Sequence, residues 1–109
     1  MANTYKVLAQ SNPSATTNTA LYTCGSASGA VVSTIAVCNQ AASAATFRIA
    51  VRPAGAALAA QHYIAYDTAI TANNSTMLTL GVTVANTDVI TVYASSANLS
   101  FSVFGTEMS

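Results

Sequence analysis

The chain has 109 residues, 52% of them hydrophobic and 6% charged, and its three basic and three acidic side chains cancel to a formal net charge of zero. An ordinary soluble domain carries about 25% charged residues, so the surface here must be built from Ala, Ser, Thr and Asn, and repulsion between copies is too weak to oppose self-association. Lys6, Arg48 and Arg52 form no basic track for phosphates, which argues against a nucleic-acid partner. No run reaches the ~18–20 apolar residues of a membrane-spanning helix, so no membrane partner is expected either.

This length suits one domain, residues 1–109, with a single core. The opening Met1-Ala2-Asn3-Thr4-Tyr5-Lys6 lacks the basic start and apolar run of a secretory signal, and synthesis in the cytoplasm is the expectation. Cys24 and Cys38 are too few for a disulfide framework and are expected as free, buried thiols, with a bridge between neighbouring strands as the alternative.

Tyr5 to Gln10 is the first predicted strand, and polar turn chemistry follows from Ser11 to Asn18. Residues 1–18 are therefore expected as an edge strand or as an arm on a neighbouring subunit. Ala20 to Cys24 is a short strand closed by the Gly25–Gly29 loop. Val31 to Asn39 is the longest β-branched run, nearly apolar on both faces, and predicts a central strand covered on both sides. Gln40 to Ala44 should return the chain as a hairpin into Phe47-Arg48-Ile49-Ala50-Val51-Arg52-Pro53. There Phe47, Ile49 and Val51 point to one face and Arg48 and Arg52 to the other.

Pro53 to His62 is balanced between a single helical turn and an ordered loop on the rim. Tyr63 to Asp67 resumes strand, and Met77 to Val82 is the next, with Gly81 marking a bulge or bend. Val89 to Ala94 and Leu99 to Gly105 complete the set, the latter with Leu99, Phe101 and Val103 alternating against Ser100 and Ser102. Seven to eight short strands separated by turns predict an all-β, antiparallel β-sandwich, jelly-roll or immunoglobulin-like.

No constellation points to catalysis, a cofactor or a metal. His62, Cys24 and Cys38 lack the spacing of a zinc site, and Asp67, Asp88 and Glu107 are scattered rather than paired for acid–base work. Asp88 sits in a turn where its carboxylate should cap backbone N–H groups. The interface candidates are Arg48, Arg52, Tyr63 and Tyr66. Arginine is enriched at protein interfaces, and an ion pair of Asp67 with Arg48 or Arg52 would act within the subunit or across an interface. Tyr63, Tyr66 and Tyr93 are weighed both as packing residues and as a sugar-stacking platform.

The strings Val37-Cys38-Asn39-Gln40, Thr46 through Leu58, His62-Tyr63-Ile64-Ala65-Tyr66-Asp67 and Thr87 through Phe101 resemble a family of small virion structural proteins of tailed bacteriophages, particularly cyanophages and other aquatic phages. That resemblance implies membership in a phage particle without catalysis. The function it leads to is a capsid decoration (cement) protein, a homo-oligomer and specifically a homotrimer, that binds the major capsid protein on the head exterior. The alternative is a tail, baseplate or fibre component that contacts other virion proteins or host surface glycans.

Overall fold

A computed structural model describes residues 3–108 of the chain. Eight strands form: β1 (Asn3–Ser11), β2 (Thr19–Thr23), β3 (Ala30–Asn39), β4 (Ala45–Arg52), β5 (Tyr63–Ile70), β6 (Ser75–Val84), β7 (Val89–Ala94) and β8 (Leu99–Met108). They lie in two four-stranded antiparallel sheets, ordered β1-β8-β3-β6 and β2-β7-β4-β5. Only β4 and β5 are consecutive strands within one sheet; every other connection crosses to the opposite sheet. This is the strand order of a jelly roll, and it removes the immunoglobulin-like alternative, in which the first two strands are neighbours in one sheet.

Alternation accounts for the core. Phe47 and Ile49 of β4 and Ile90 and Val92 of β7 meet Ile35 and Val37 of β3 and Leu99, Phe101 and Val103 of β8, all essentially without solvent contact. Burying a side chain of this size contributes roughly 1.5–3 kcal/mol. The Phe47 and Phe101 rings join the two sheets edge to face, with centroids 6.2 Å apart.

The expected hairpin between the Val31–Asn39 and Phe47 strands does not form, because β3 and β4 belong to different sheets. At the crossing sits Asn39, buried at the end of β3. Its Nδ2 lies 2.9 Å from the Ser43 carbonyl oxygen, 3.3 Å from that of Ile70 and 3.2 Å from that of Thr71, while its Oδ1 accepts from the Ala41 N–H. These contacts fix the chain as it steps across the sandwich, a long-range arrangement that no local turn signal encodes.

After β4, Pro53 ends the strand and the segment makes two short 3-10 turns, Pro53–Gly55 and Ala60–His62. His62 Nδ1 accepts from the Ala59 N–H at 3.1 Å and closes the second turn. Asp88 caps as its turn position implied, accepting from the N–H groups of Ala54 and Ala85 at 2.8 Å each. Gly81, with φ +62, falls in a bulge: Val32 pairs with Val82 and Thr34 with Thr79, so two β6 residues oppose Ser33 alone.

One expectation about β3 is corrected. It is a central strand, flanked by β6 and β8, but only one of its faces is covered. Val32, Ile35 and Val37 are buried, whereas Val31, Thr34 and Ala36 are half-buried and Cys38 is exposed on the outer side. Cys24 is buried and both thiols are free, so Cys38 departs from the expected buried pair.

Candidate functional site

Two sheet faces carry the side chains of interest. On the outer face of the β2-β7-β4-β5 sheet, Arg48 projects from β4 beside its cross-strand neighbour Tyr93 of β7. Pairing with β5 is irregular here: Phe47 matches Thr68 and Ile49 matches Ala65, which leaves Tyr66 and Asp67 together opposite Arg48. Asp67 takes the left-handed backbone conformation, φ +48, which Asp tolerates better than most residues. The next pairing, Ala50 with Tyr63, skips Ile64. Strict alternation would send Tyr63 and Tyr66 to opposite faces; the skipped Ile64 brings them to the same one, and the doubled position opposite Arg48 sets Asp67 beside Tyr66.

The resulting cluster is tightly organised. Arg48 Nε donates to Asp67 Oδ1 at 2.6 Å and a terminal guanidinium nitrogen to Oδ2 at 3.3 Å. The guanidinium carbon lies 4.3 Å from the ring centroids of both Tyr66 and Tyr93, a double cation–π stack. The hydrogen bond to Asp67 raises the Arg48 pKa further above its ordinary value, so this charge is permanent. Tyr63 stands perpendicular to Tyr66, with centroids 4.9 Å apart. Beside the two tyrosines runs an open groove of ≈ 610 Å³, lined also by Asn18, Leu58, Ala59 and Ala60.

Arg52 is engaged in its own subunit as well. Its Nε donates to the buried Thr91 hydroxyl at 2.9 Å and its Nη1 to the Ala56 carbonyl at 3.2 Å, tying the segment after Pro53 to the sheet. Of the four sequence-predicted interface residues, the fold therefore gathers Arg48, Tyr63 and Tyr66 and sets Arg52 apart as a loop anchor. Asp67 pairs with Arg48 rather than Arg52.

The second surface had no signal assigned to it in the sequence. The outer face of the β1-β8-β3-β6 sheet is crossed by rows of paired residues: Tyr5, Thr106, Val31 and Thr83; then Val7, Phe104, Thr34 and Thr79; then Gln10, Ser102, Ala36 and Met77. None is charged. Three large apolar side chains of this face are exposed, Tyr5 (80%), Met77 (62%) and Val7 (48%). The available clue was the double apolar pattern of β3, which sequence reasoning took for burial on both sides.

Among the described residues no three of His, Cys, Asp and Glu gather in one place. No protein-family model, no curated protein and no solved structure matches this chain.

Proposed function

We propose that this chain is a non-enzymatic structural protein of a tailed-phage particle, a decoration protein that coats and stabilises the head shell as a homo-oligomer. The observation that carries this reading is the uncharged outer face of the β1-β8-β3-β6 sheet, with Tyr5, Val7 and Met77 exposed on it. Tyr and Met are typical of interface cores, where charged residues are depleted.

A second copy of the same chain is the occupant that fits. Among the described residues the face has no charge with which to select an acidic or basic partner, and net charge zero leaves two copies free of mutual repulsion. Four strands ~4.8 Å apart over about seven residues of β3 give roughly 450 Å² in projection. Side-chain relief carries the accessible area of such a face toward the ~800 Å² per partner of a standard interface. A homotrimer with this face turned toward its axis would bury it, and would explain why β3 is apolar on both sides.

In the decoration role the oligomer binds the major capsid protein on the shell exterior and stabilises the assembled lattice by mass action, as any ligand of the native state does. The resemblance of the Thr46–Leu58 and Thr87–Phe101 strings to phage virion proteins supports this setting. The test is the copy number of the chain relative to the major capsid protein in purified particles. Parity within a small factor supports decoration; a number lower by orders of magnitude moves the protein to the tail, baseplate or a fibre.

A further inference from the structure

We propose that the groove beside Tyr63 and Tyr66 is a binding site for a neutral saccharide. It lies on the opposite side of the sandwich from the uncharged face, and the inference holds whether the chain is a monomer or an oligomer.

Three features of the groove converge on this ligand class. Tyr66 is 58% exposed yet held in place, since the Arg48 guanidinium stacks on its ring and Tyr63 stands against it at 85°. Tyrosines fixed before a ligand arrives avoid much of the entropy cost of ordering them on binding. An aromatic face is electronegative, and the C–H groups on the apolar side of a pyranose ring are weakly positive, so the two surfaces are complementary. The perpendicular pair bounds a corner with ring faces, so that a pyranose lying on one tyrosine turns its edge toward the other.

The rim supplies polar contacts of the right kind. Asn18 is exposed along the groove and its side chain makes no hydrogen bond to the described residues, leaving amide donors and acceptor for sugar hydroxyls. Leu58, Ala59 and Ala60 form the small apolar remainder of the lining. The volume of ≈ 610 Å³ falls within the ~300–1,000 Å³ of small-molecule sites.

Charge selects among sugars. Among the described residues the lining is uncharged, and nearby Arg48 is already paired with Asp67. An acidic sugar would find no free cation among the described residues of the groove and would lose hydration without compensation. The class is therefore neutral hexose or N-acetylhexosamine units.

The experiment titrates lactose, maltose, cellobiose and N,N′-diacetylchitobiose, with sialyllactose as the anionic control, at millimolar concentration into isotope-labelled protein followed by NMR. The expected result is saturable shifts of Asn18, Tyr63 and Tyr66 with at least one neutral sugar. Tyr66→Ala should weaken that binding by ~tenfold or more, about 1.4 kcal/mol. Tyr66→Phe keeps the ring and should retain binding, and Tyr5→Ala, on the opposite face, should leave it unchanged. The inference is overturned if no neutral sugar of the panel shifts these residues, if sialyllactose alone does, or if binding survives Tyr66→Ala. A mass measurement on Tyr66→Ala separates the two proposals, since loss of sugar binding should leave the oligomeric state as it was.

Discussion

The Tyr22 hydroxyl on β2 donates to Glu107 Oε2 on β8 at 2.7 Å, joining the two sheets at one end of the sandwich, and Lys6 Nζ lies 2.9 Å from the other carboxylate oxygen. The hydrogen bond from Tyr22, and then the one from Lys6, hold Glu107 below its ordinary pKa of 4.5. The folded chain thus binds this proton less readily than the unfolded chain does. Its contribution to stability is complete above the ordinary value and is lost as pH falls through the folded one. Glu107→Gln should lower the melting temperature at neutral pH, and the gap from the parent protein should close in acid. Burial, followed by the bond to Glu107, raises the Tyr22 pKa well above 10.0, so the phenol stays protonated in the folded state. That contribution is present below pH ~10 and lost above it. Tyr22→Phe should therefore reduce the alkaline loss of stability seen in thermal melts.

Asn39 carries a second prediction. It is 1% exposed and its amide serves carbonyls from two separate segments, Ser43 on one side and Ile70 and Thr71 on the other. Asn39→Ala leaves these groups and the Ala41 N–H short of partners. The expected cost is about 2 kcal/mol in urea unfolding, with a slope unchanged from the parent because the same surface is exposed on unfolding.

Arg48→Glu is informative about which face assembles. Arg48 contacts Asp67, Tyr66 and Tyr93 of its own subunit, so reversing its charge sets two acids together and removes the stack on both rings. The melting temperature should fall while the oligomeric mass is retained. Loss of assembly in a variant that remains folded would instead place this arginine at a contact between copies.

Much of the strand content was legible because alternation is a local signal. Val89–Ala94 is β7 residue for residue, and Phe47, Ile49 and Phe101 lie inward as their spacing implied. Sheet order was not, since a jelly roll is made by crossing connections whose ends are tied by contacts such as those of Asn39, far apart in sequence. The Tyr63, Tyr66 and Asp67 cluster escaped period-2 reading because two register irregularities in β5 break the alternation that such reading assumes. The left-handed Asp67 has a weak sequence signal at best: Asp is enriched in that conformation, but it is not required there. The outer face of β3 was misread for a different reason. An apolar face covered by its own chain and one left open on the surface have the same sequence pattern.

Cys38 reports directly on that face. It is exposed on the outer side of β3 between Ser75 and Ser100, whereas Cys24 is buried. In dilute protein Cys38 should alkylate rapidly and Cys24 slowly. Raising the protein concentration, or assembling particles, should slow Cys38 toward the rate of Cys24 as copies cover the face, and mass spectrometry of the labelled peptides reads the ratio.

The most direct measurement is the sedimentation-equilibrium mass of the parent protein beside that of Thr34→Arg, which places a charge at the middle of the uncharged face next to Phe104 and Thr79. The parent should sediment as a homo-oligomer and the variant as a monomer with native circular dichroism. Met77→Arg, at an exposed position near the sheet edge, should shift the equilibrium the same way and covers the case of a Thr34 variant that fails to fold. A parent that is monomeric at high concentration, or variants that stay folded and fully oligomeric, would contradict assembly through this face.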